Sequence, residues 1–190
     1  MNFNKIFYNF LCWDDLSLDT KSIEKFIYEL KSTTPSVKYT NVNGWQSPDI
    51  SFDDSVVLWP LIEKIKLMVD EIILLFNIVE DLRITNMWIN VNNKGGYNRP
   101  HTHVGSIFSG VFYVKGSKDC GNLVFMHPNI YHDVFVPKVK QLDEYSSNRW
   151  EITPRENALI LFSSEIVHYV ETNLTNEDRI SIAFNIGKNI

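Results

Sequence analysis

Apolar residues recur along this chain with two different periods, and the change between them falls near residue 82. Over residues 20–32, Ile23, Phe26, Ile27 and Leu30 stand at helical spacing, and Asp19 or Thr20 is placed to cap that helix. Asn41 to Ser47 (NVNGWQS) is turn-rich and reads as irregular. From Asp54 to Ile78, Val57, Leu61, Ile65, Met68, Ile72 and Leu75 recur at steps of three and four. That spacing predicts a long amphipathic helix with its apolar stripe on the core. Pro60 lies near its start, where it is tolerated or introduces a kink. Beyond residue 82 the period is two: Thr85, Met87, Ile89 and Val91 alternate with Ile84, Asn86, Trp88 and Asn90. Strand-like runs follow at 106–115, 121–126, 131–136, 149–153, 158–162, 166–171 and 179–186, separated by Gly, Pro, Asn and Asp. Many short strands at this spacing predict an antiparallel sandwich or barrel. No repeat or linker interrupts the chain. Residues 1–190 are expected to form one domain, helical over about 1–80 and β over about 82–190.

Composition narrows the class. The chain has 190 residues, 44% of them hydrophobic, with 18 Lys and Arg against 23 Asp and Glu for a net charge of −5. This is the balance of a soluble globular protein with enough chain for one core. No basic stripe offsets the acidic excess, which argues against a phosphate-backbone binder. The apolar stretches are broken well before the roughly 18 residues that a membrane span needs. Met1 to Phe10 lacks the basic-then-apolar order of a signal peptide. Cys12 and Cys120 form no CxxC pair, and two free thiols in a reducing cytoplasm are the expectation.

The histidines carry the chemistry. There are five: His101, His103, His127, His132 and His168. On a strand, His101 and His103 would share a face about 7 Å apart, within reach of one metal. His168 lies in the apolar run IVHYV, where a lone histidine is more often a hydrogen-bonded core residue than a ligand. His127 in FMHPN reads as part of a turn, and His132 beside Asp133 as a surface pair. On the last strand Arg179, Ser181 and Asn185 point one way, while Ile180, Ile182, Phe184 and Ile186 point the other. That polar face either meets water or lines a barrel interior that holds an anion. Arginine offers a planar, permanently charged fork that matches a carboxylate.

In this order, the motifs resemble those of the iron(II)/2-oxoglutarate-dependent oxygenases. They are His101-x-His103, SGVFYV (109–114), CGNLVF (120–125), ITPRENALILF (152–162), His168 and RIS (179–181). More narrowly, together with GWQS (44–47), they resemble a phage- and bacteria-associated branch with an H-x-H motif. The resemblance covers about residues 40–187. It implies a double-stranded β-helix, of jelly-roll or cupin-like form, with Fe(II) held between two sheets. It further implies O₂ and 2-oxoglutarate as cosubstrates and decarboxylation to succinate coupled to oxidation of a second substrate. His101 and His168 match metal ligands. Arg179 and Ser181 match the pair that binds the far carboxylate of 2-oxoglutarate, and Tyr113 matches a tyrosine that donates to it.

One position departs from the pattern, because the usual motif is His-x-Asp or His-x-Glu and here the second residue is His103. All three histidines bind the metal, or His103 is the first ligand with Gly105 in the carboxylate position, or a carboxylate such as Asp119, Asp133 or Glu165 completes the set. The first is preferred, since residues i and i+2 converge most simply. Asn90 and Asn92 are placed to touch cosubstrate. Trp45, Tyr97 and Trp150 are placed to line a substrate mouth, and 92–100 (NNKGGYNRP) is placed to act as a lid. Two other readings stand beside the oxygenase: a cupin-like three-His metalloprotein that uses no 2-oxoglutarate, and a non-enzymatic β-sandwich binding module. The expected substrate is a small molecule or a protein side chain, and the apolar second helix suits a homodimer.

Overall fold

A computed structural model describes residues 9–51, 56–129, 131, 134, 138–143 and 146–188. The chain runs β1 (Leu11–Asp15), α1 (Thr20–Thr33), β2 (Asn41–Val42), β3 (Trp45–Gln46), a 3₁₀ turn (Val56–Leu58) and α2 (Trp59–Leu75). It continues with β4 (Leu82–Asn92), β5 (Tyr97–His101), β6 (Phe108–Lys115), β7 (Leu123–Met126), β8 (Arg149–Ile152), β9 (Ala158–Ser163), β10 (His168–Val170) and β11 (Arg179–Lys188). One sheet has six strands in the order β1-β9-β6-β11-β4-β3, and the other has five in the order β2-β5-β10-β7-β8. The assigned pairs are antiparallel.

Both helices form where the apolar spacing predicts them. Asp19 caps α1, its carboxylate accepting from the Ser22 backbone N–H at 3.2 Å. Pro60 occupies the first turn of α2, where no intrahelical hydrogen bond is lost. Ile23 and Ile27 of α1 and Leu61, Ile65 and Val69 of α2 share one core with the outer face of the six-stranded sheet. The sheet contributes Met87, Ile89 and Val91 from β4 and Ile180, Ile182, Phe184 and Ile186 from β11. These four β11 side chains are completely buried, and each contributes about 1.5–3 kcal/mol through that burial. The helices therefore cover the outer face, and the other face turns inward toward the five-stranded sheet, where Ile160 and Phe162 of β9 form a second apolar cluster with Leu123 and Phe125 of β7.

Three features differ from the sequence-based expectation. A strand, β1, precedes the first helix and pairs along its length with β9. The irregular 41–47 segment holds two short strands, one in each sheet. The proposed lid is instead a pinned turn followed by β5: Gly95 N–H donates to Asn173 O at 2.8 Å and Asn173 N–H to Gly96 O at 2.9 Å. Gly95 takes φ +84, which a glycine adopts without penalty. The strand expected at 131–136, with His132 and Asp133, lies largely outside the described residues, and those two residues lie wholly outside them.

Candidate active site

Antiparallel register brings the histidines together. His168, which opens β10, pairs directly with His101, which ends β5. His103 sits two residues past β5, tied by its N–H to Ser164 O at 3.1 Å. His101 and His103 thus converge through a strand end and a loop, not along one strand face. Ring centroids lie 4.3 Å apart for His101 and His168, 5.1 Å for His101 and His103, and 5.0 Å for His103 and His168. One ligand nitrogen from each histidine falls within 4.8 Å of the other two. Trp88 stacks on His103 and Phe162 packs edge-on against His168, which restrains both rings. The group includes no carboxylate among the described residues. Asp119 lies in the loop before β7 and Glu165 is exposed in the turn before β10.

Hydrogen bonds decide which nitrogen each ring presents. His101 Nδ1 lies 2.7 Å from Arg99 O and His168 Nδ1 lies 2.9 Å from Ile166 O. A carbonyl oxygen only accepts, so both Nδ1 atoms carry the proton. His103 Nδ1 lies 2.6 Å from the Asn185 side-chain oxygen and donates likewise. All three Nε2 atoms therefore present lone pairs, and those of His103 and His168 face each other at 3.2 Å. Such facing lone pairs repel unless a positive charge lies between them. Burial disfavours a proton: it holds His103 at about 4 and His168 at about 3, with the nearby His101 adding to each effect, and it lowers His101 too. Three neutral imidazoles directed at one point are a donor set for a transition metal.

These shifts have a measurable consequence in chelator-treated protein. The folded-state values lie below the ordinary 6.5, so the unfolded chain binds more protons as pH falls from 6.5 toward 4. Stability held by the neutral rings is present above pH 6.5 and is lost below it. The urea midpoint is expected to drop between pH 7 and 4.5 by the equivalent of a few kcal/mol, roughly 1.4 per pH unit per group. His168→Ala should flatten that dependence, and a wild-type midpoint independent of pH would contradict it.

The second half of the site lies on the inward face of the six-stranded sheet. Along β11 and β4, Arg179 pairs with Asn92, Ser181 with Asn90, Ala183 with Trp88 and Asn185 with Asn86. Tyr113 of β6 stands opposite Ser181. With the histidines, these side chains line a cavity of about 350 Å³ between the sheets. Arg179 is 1% exposed. Its Nη1 donates to Gly121 O at 3.2 Å, to Glu171 O at 3.0 Å and to Cys120 O. Its Nη2 is buried and has no partner among the described residues. Gly121 makes this seat: at φ +90, a Cβ there would lie 2.6 Å from Arg179 Nη1 and 2.3 Å from Glu171 O. Asn92 Nδ2 and Asn90 Oδ1 are likewise buried, with no partner among the described residues. Burial raises the Tyr113 phenol well above its ordinary value, against the Arg179 charge, so it stays a neutral donor. One end of the cavity thus offers a fixed cation and two donors unpartnered among the described residues, Arg179 Nη2 and Asn92 Nδ2, a setting that favours an anion, while Asn90 Oδ1 is an acceptor open to a ligand N–H or O–H.

The aromatics expected at the mouth lie elsewhere. Trp45 is in the core with its indole N–H on Thr34 O, Tyr97 does not line the cavity, and Trp150 stands 46% exposed on β8. His127 belongs to a turn, its ring accepting from Asn129 N–H at 3.0 Å. Gly105 lies in an open turn at φ +90. The lining also includes Trp88, Asn86, Asp49, Gln46 and Tyr39, none of which is among the candidate site residues that the sequence offers. The alternation on β4 had already placed Asn86 and Trp88 on the face of Asn90, and that was the available signal.

The family model described as "Putative 2OG-Fe(II) oxygenase" matches residues 86–185. Comparison of the sequence with curated proteins finds no match. Among solved structures, a Pseudomonas putida prolyl-4-hydroxylase aligns with a TM-score of 0.68 at 14% identity over 95% of this chain and 93% of that one. HygX from Streptomyces hygroscopicus, with nickel and 2-oxoglutarate bound, aligns at 0.64 and 14% identity over 95% and 83%. The non-heme alpha ketoglutarate dependent epimerase SnoN from nogalamycin biosynthesis aligns at 0.68 and 14% identity over 94% and 76%. These likenesses establish the fold as the jelly-roll double-stranded β-helix. With a family model spanning more than half of its residues, the chain belongs to the 2OG-Fe(II) oxygenase family.

Proposed function

We propose that His101, His103 and His168 hold Fe(II), and that Arg179, Ser181 and Tyr113 bind the far carboxylate of 2-oxoglutarate. The whole chain then works as one dioxygenase domain, most simply a hydroxylase. The observation that carries this reading is a single cavity with three inward Nε2 lone pairs and, elsewhere on its wall, a buried guanidinium whose Nη2 has no partner among the described residues. When bound, the iron supplies the redox chemistry by which 2-oxoglutarate and O₂ yield succinate and CO₂ while a substrate C–H bond is oxidised. The chain supplies the rest. Three nitrogens of the chain would hold the metal and would leave room on it for the cosubstrate. Arg179 fixes the distal carboxylate from a seat that three backbone carbonyls hold rigid. Tyr113 and Ser181 stand register-paired beside it as neutral donors. The packed helices on the outer face keep water from the buried side of the sheet.

The substrate, a small molecule or a protein side chain, enters past Tyr39 and Asp49, both exposed on the cavity lining. No helix among the described residues is long and apolar enough to cross a membrane. Cys12 and Cys120 are free thiols, which supports a reducing, cytoplasmic setting. The test is direct. With Fe(II), ascorbate and 2-oxoglutarate, the protein should release succinate slowly even without substrate. N-oxalylglycine should bind the Mn(II)-loaded protein and quench its tryptophan fluorescence. The absence of both succinate release and N-oxalylglycine binding would overturn the reading.

A further inference from the structure

His103 replaces the carboxylate of the usual motif, and that exchange creates a requirement a carboxylate does not have. An ionised carboxylate presents lone pairs whichever way it turns. An imidazole presents one only in the correct tautomer, and the wrong tautomer aims an N–H at the metal. His101 and His168 are set by backbone carbonyls, which cannot act as donors. His103 alone is set by a side-chain amide, which presents either oxygen or nitrogen according to how it is flipped.

The flip is determined at a distance. Asp49, which only accepts, takes Asn86 Nδ2 at 3.3 and 3.4 Å on its two oxygens. Asn86 is thereby turned so that its Oδ1 accepts from Asn185 Nδ2 at 2.9 Å. Asn185 must then offer Oδ1 to His103 Nδ1, at 2.6 Å. Ser109 Oγ also donates to that Oδ1 at 2.8 Å and lies 2.7 Å from Ser164 Oγ. The two asparagines sit opposite each other in the β4–β11 register, so backbone pairing holds the relay in place.

We propose that Asn185, oriented through Asn86 by the Asp49 carboxylate, is a positioning residue that locks His103 in its Nδ1–H tautomer and so turns Nε2 toward the metal. The metal half of this statement rests on the three-histidine reading above; the tautomer half does not.

The experiment separates the two. In metal-free, ¹⁵N-labelled protein, two-bond ¹⁵N–¹H correlation of the imidazole rings reports each tautomer. Wild type should show Nδ1–H at all three histidines. Asn185→Leu should move His103 to the Nε2–H or a mixed form and leave His101 and His168 unchanged. Asn185→Asp, which keeps the acceptor, should retain Nδ1–H. Co(II) titration followed by its visible absorption should show a loss of about 10–100-fold for Asn185→Leu, the usual cost of removing a partner of a ligating histidine. Asn185→Asp should stay much closer to wild type. Should Asn185→Leu not fold, Asn86→Leu frees the amide to flip and should shift the His103 tautomer in the same direction. A His103 that stays Nδ1–H in these leucine variants, or wild-type Co(II) affinity in a shifted variant, overturns the proposal. Failure of wild type itself to bind Co(II) overturns the metal reading instead, and the tautomer result then judges the relay alone.

Discussion

Replacing Arg179 by methionine should raise the Kd for 2-oxoglutarate on the Mn(II)-loaded protein by at least about 30-fold, since losing one member of a buried charge pair costs roughly 2–5 kcal/mol. The reason is specific to this guanidinium. It is buried, and Nη1 is already committed to three backbone carbonyls, while Nη2 is the donor left over. A carboxylate placed there gains a charge-assisted hydrogen bond from a guanidinium almost wholly shielded from bulk water. Arg179→Lys should not restore binding, because an ammonium lacks the fork that engages the carbonyls and the ligand together. Titration calorimetry on metal-loaded wild type and both variants measures the effect. Metal affinity should stay within a few-fold, because the imidazoles are set by other partners. If 2-oxoglutarate binds Arg179→Met as it binds wild type, the guanidinium serves only to tie the Cys120, Gly121 and Glu171 backbones. A metal-dependent activity that survived the same change would favour a cupin-like reaction without 2-oxoglutarate.

The second large effect is expected at His168. His168→Ala should weaken Fe(II) or Co(II) binding by more than ~100-fold and abolish succinate release, given that even the outer partner of a ligating histidine is worth about 10–100-fold. His168 is the most buried ring of the three and lies nearest both others, 3.2 Å from His103 through Nε2 and 4.3 Å from His101 between ring centroids. Its removal takes away the nitrogen contributed by β10, and no carboxylate joins the group among the described residues. Metal analysis after dialysis, with 2-oxoglutarate turnover, measures both consequences. Wild-type metal content in His168→Ala would show that the imidazole cluster is not the iron site. His103→Asp is a useful companion: it restores the more common two-His, one-carboxylate donor set at this position. If His103 is a ligand, that variant should keep metal far better than His168→Ala does.

Much of this architecture was already present in local patterns. Steps of three and four gave α1 and α2 within a few residues. Period-two alternation on 179–186 separated Ile180, Ile182, Phe184 and Ile186 from Arg179, Ser181 and Asn185, as the structure places them. Both patterns report which side chains share a face, and that depends only on backbone geometry over a few residues. The segment 92–100 failed for the same reason. Gly, Asn and Pro weaken any local strand signal, and Tyr97–His101 is a strand because β2 and β10 flank it. Trp45 likewise gave no local sign that the core, not the cavity, would take its ring.

What sequence determined by itself was the set of chemical groups and the faces that carry them: three imidazoles in order, an arginine and serine on one side of the last strand, and apolar stripes that require a common core. Tertiary structure alone decided that the polar face of β4 and β11 would line an interior. It also decided that His168 would meet His101 in register and that each imidazole would turn Nε2 inward. Those outcomes depend on contacts such as His103 with His168, 65 residues apart, and His103 with Asn185, 82 residues apart. Period and propensity act over a few positions, whereas a lone pair's direction is set by whichever partner the fold delivers from across the chain.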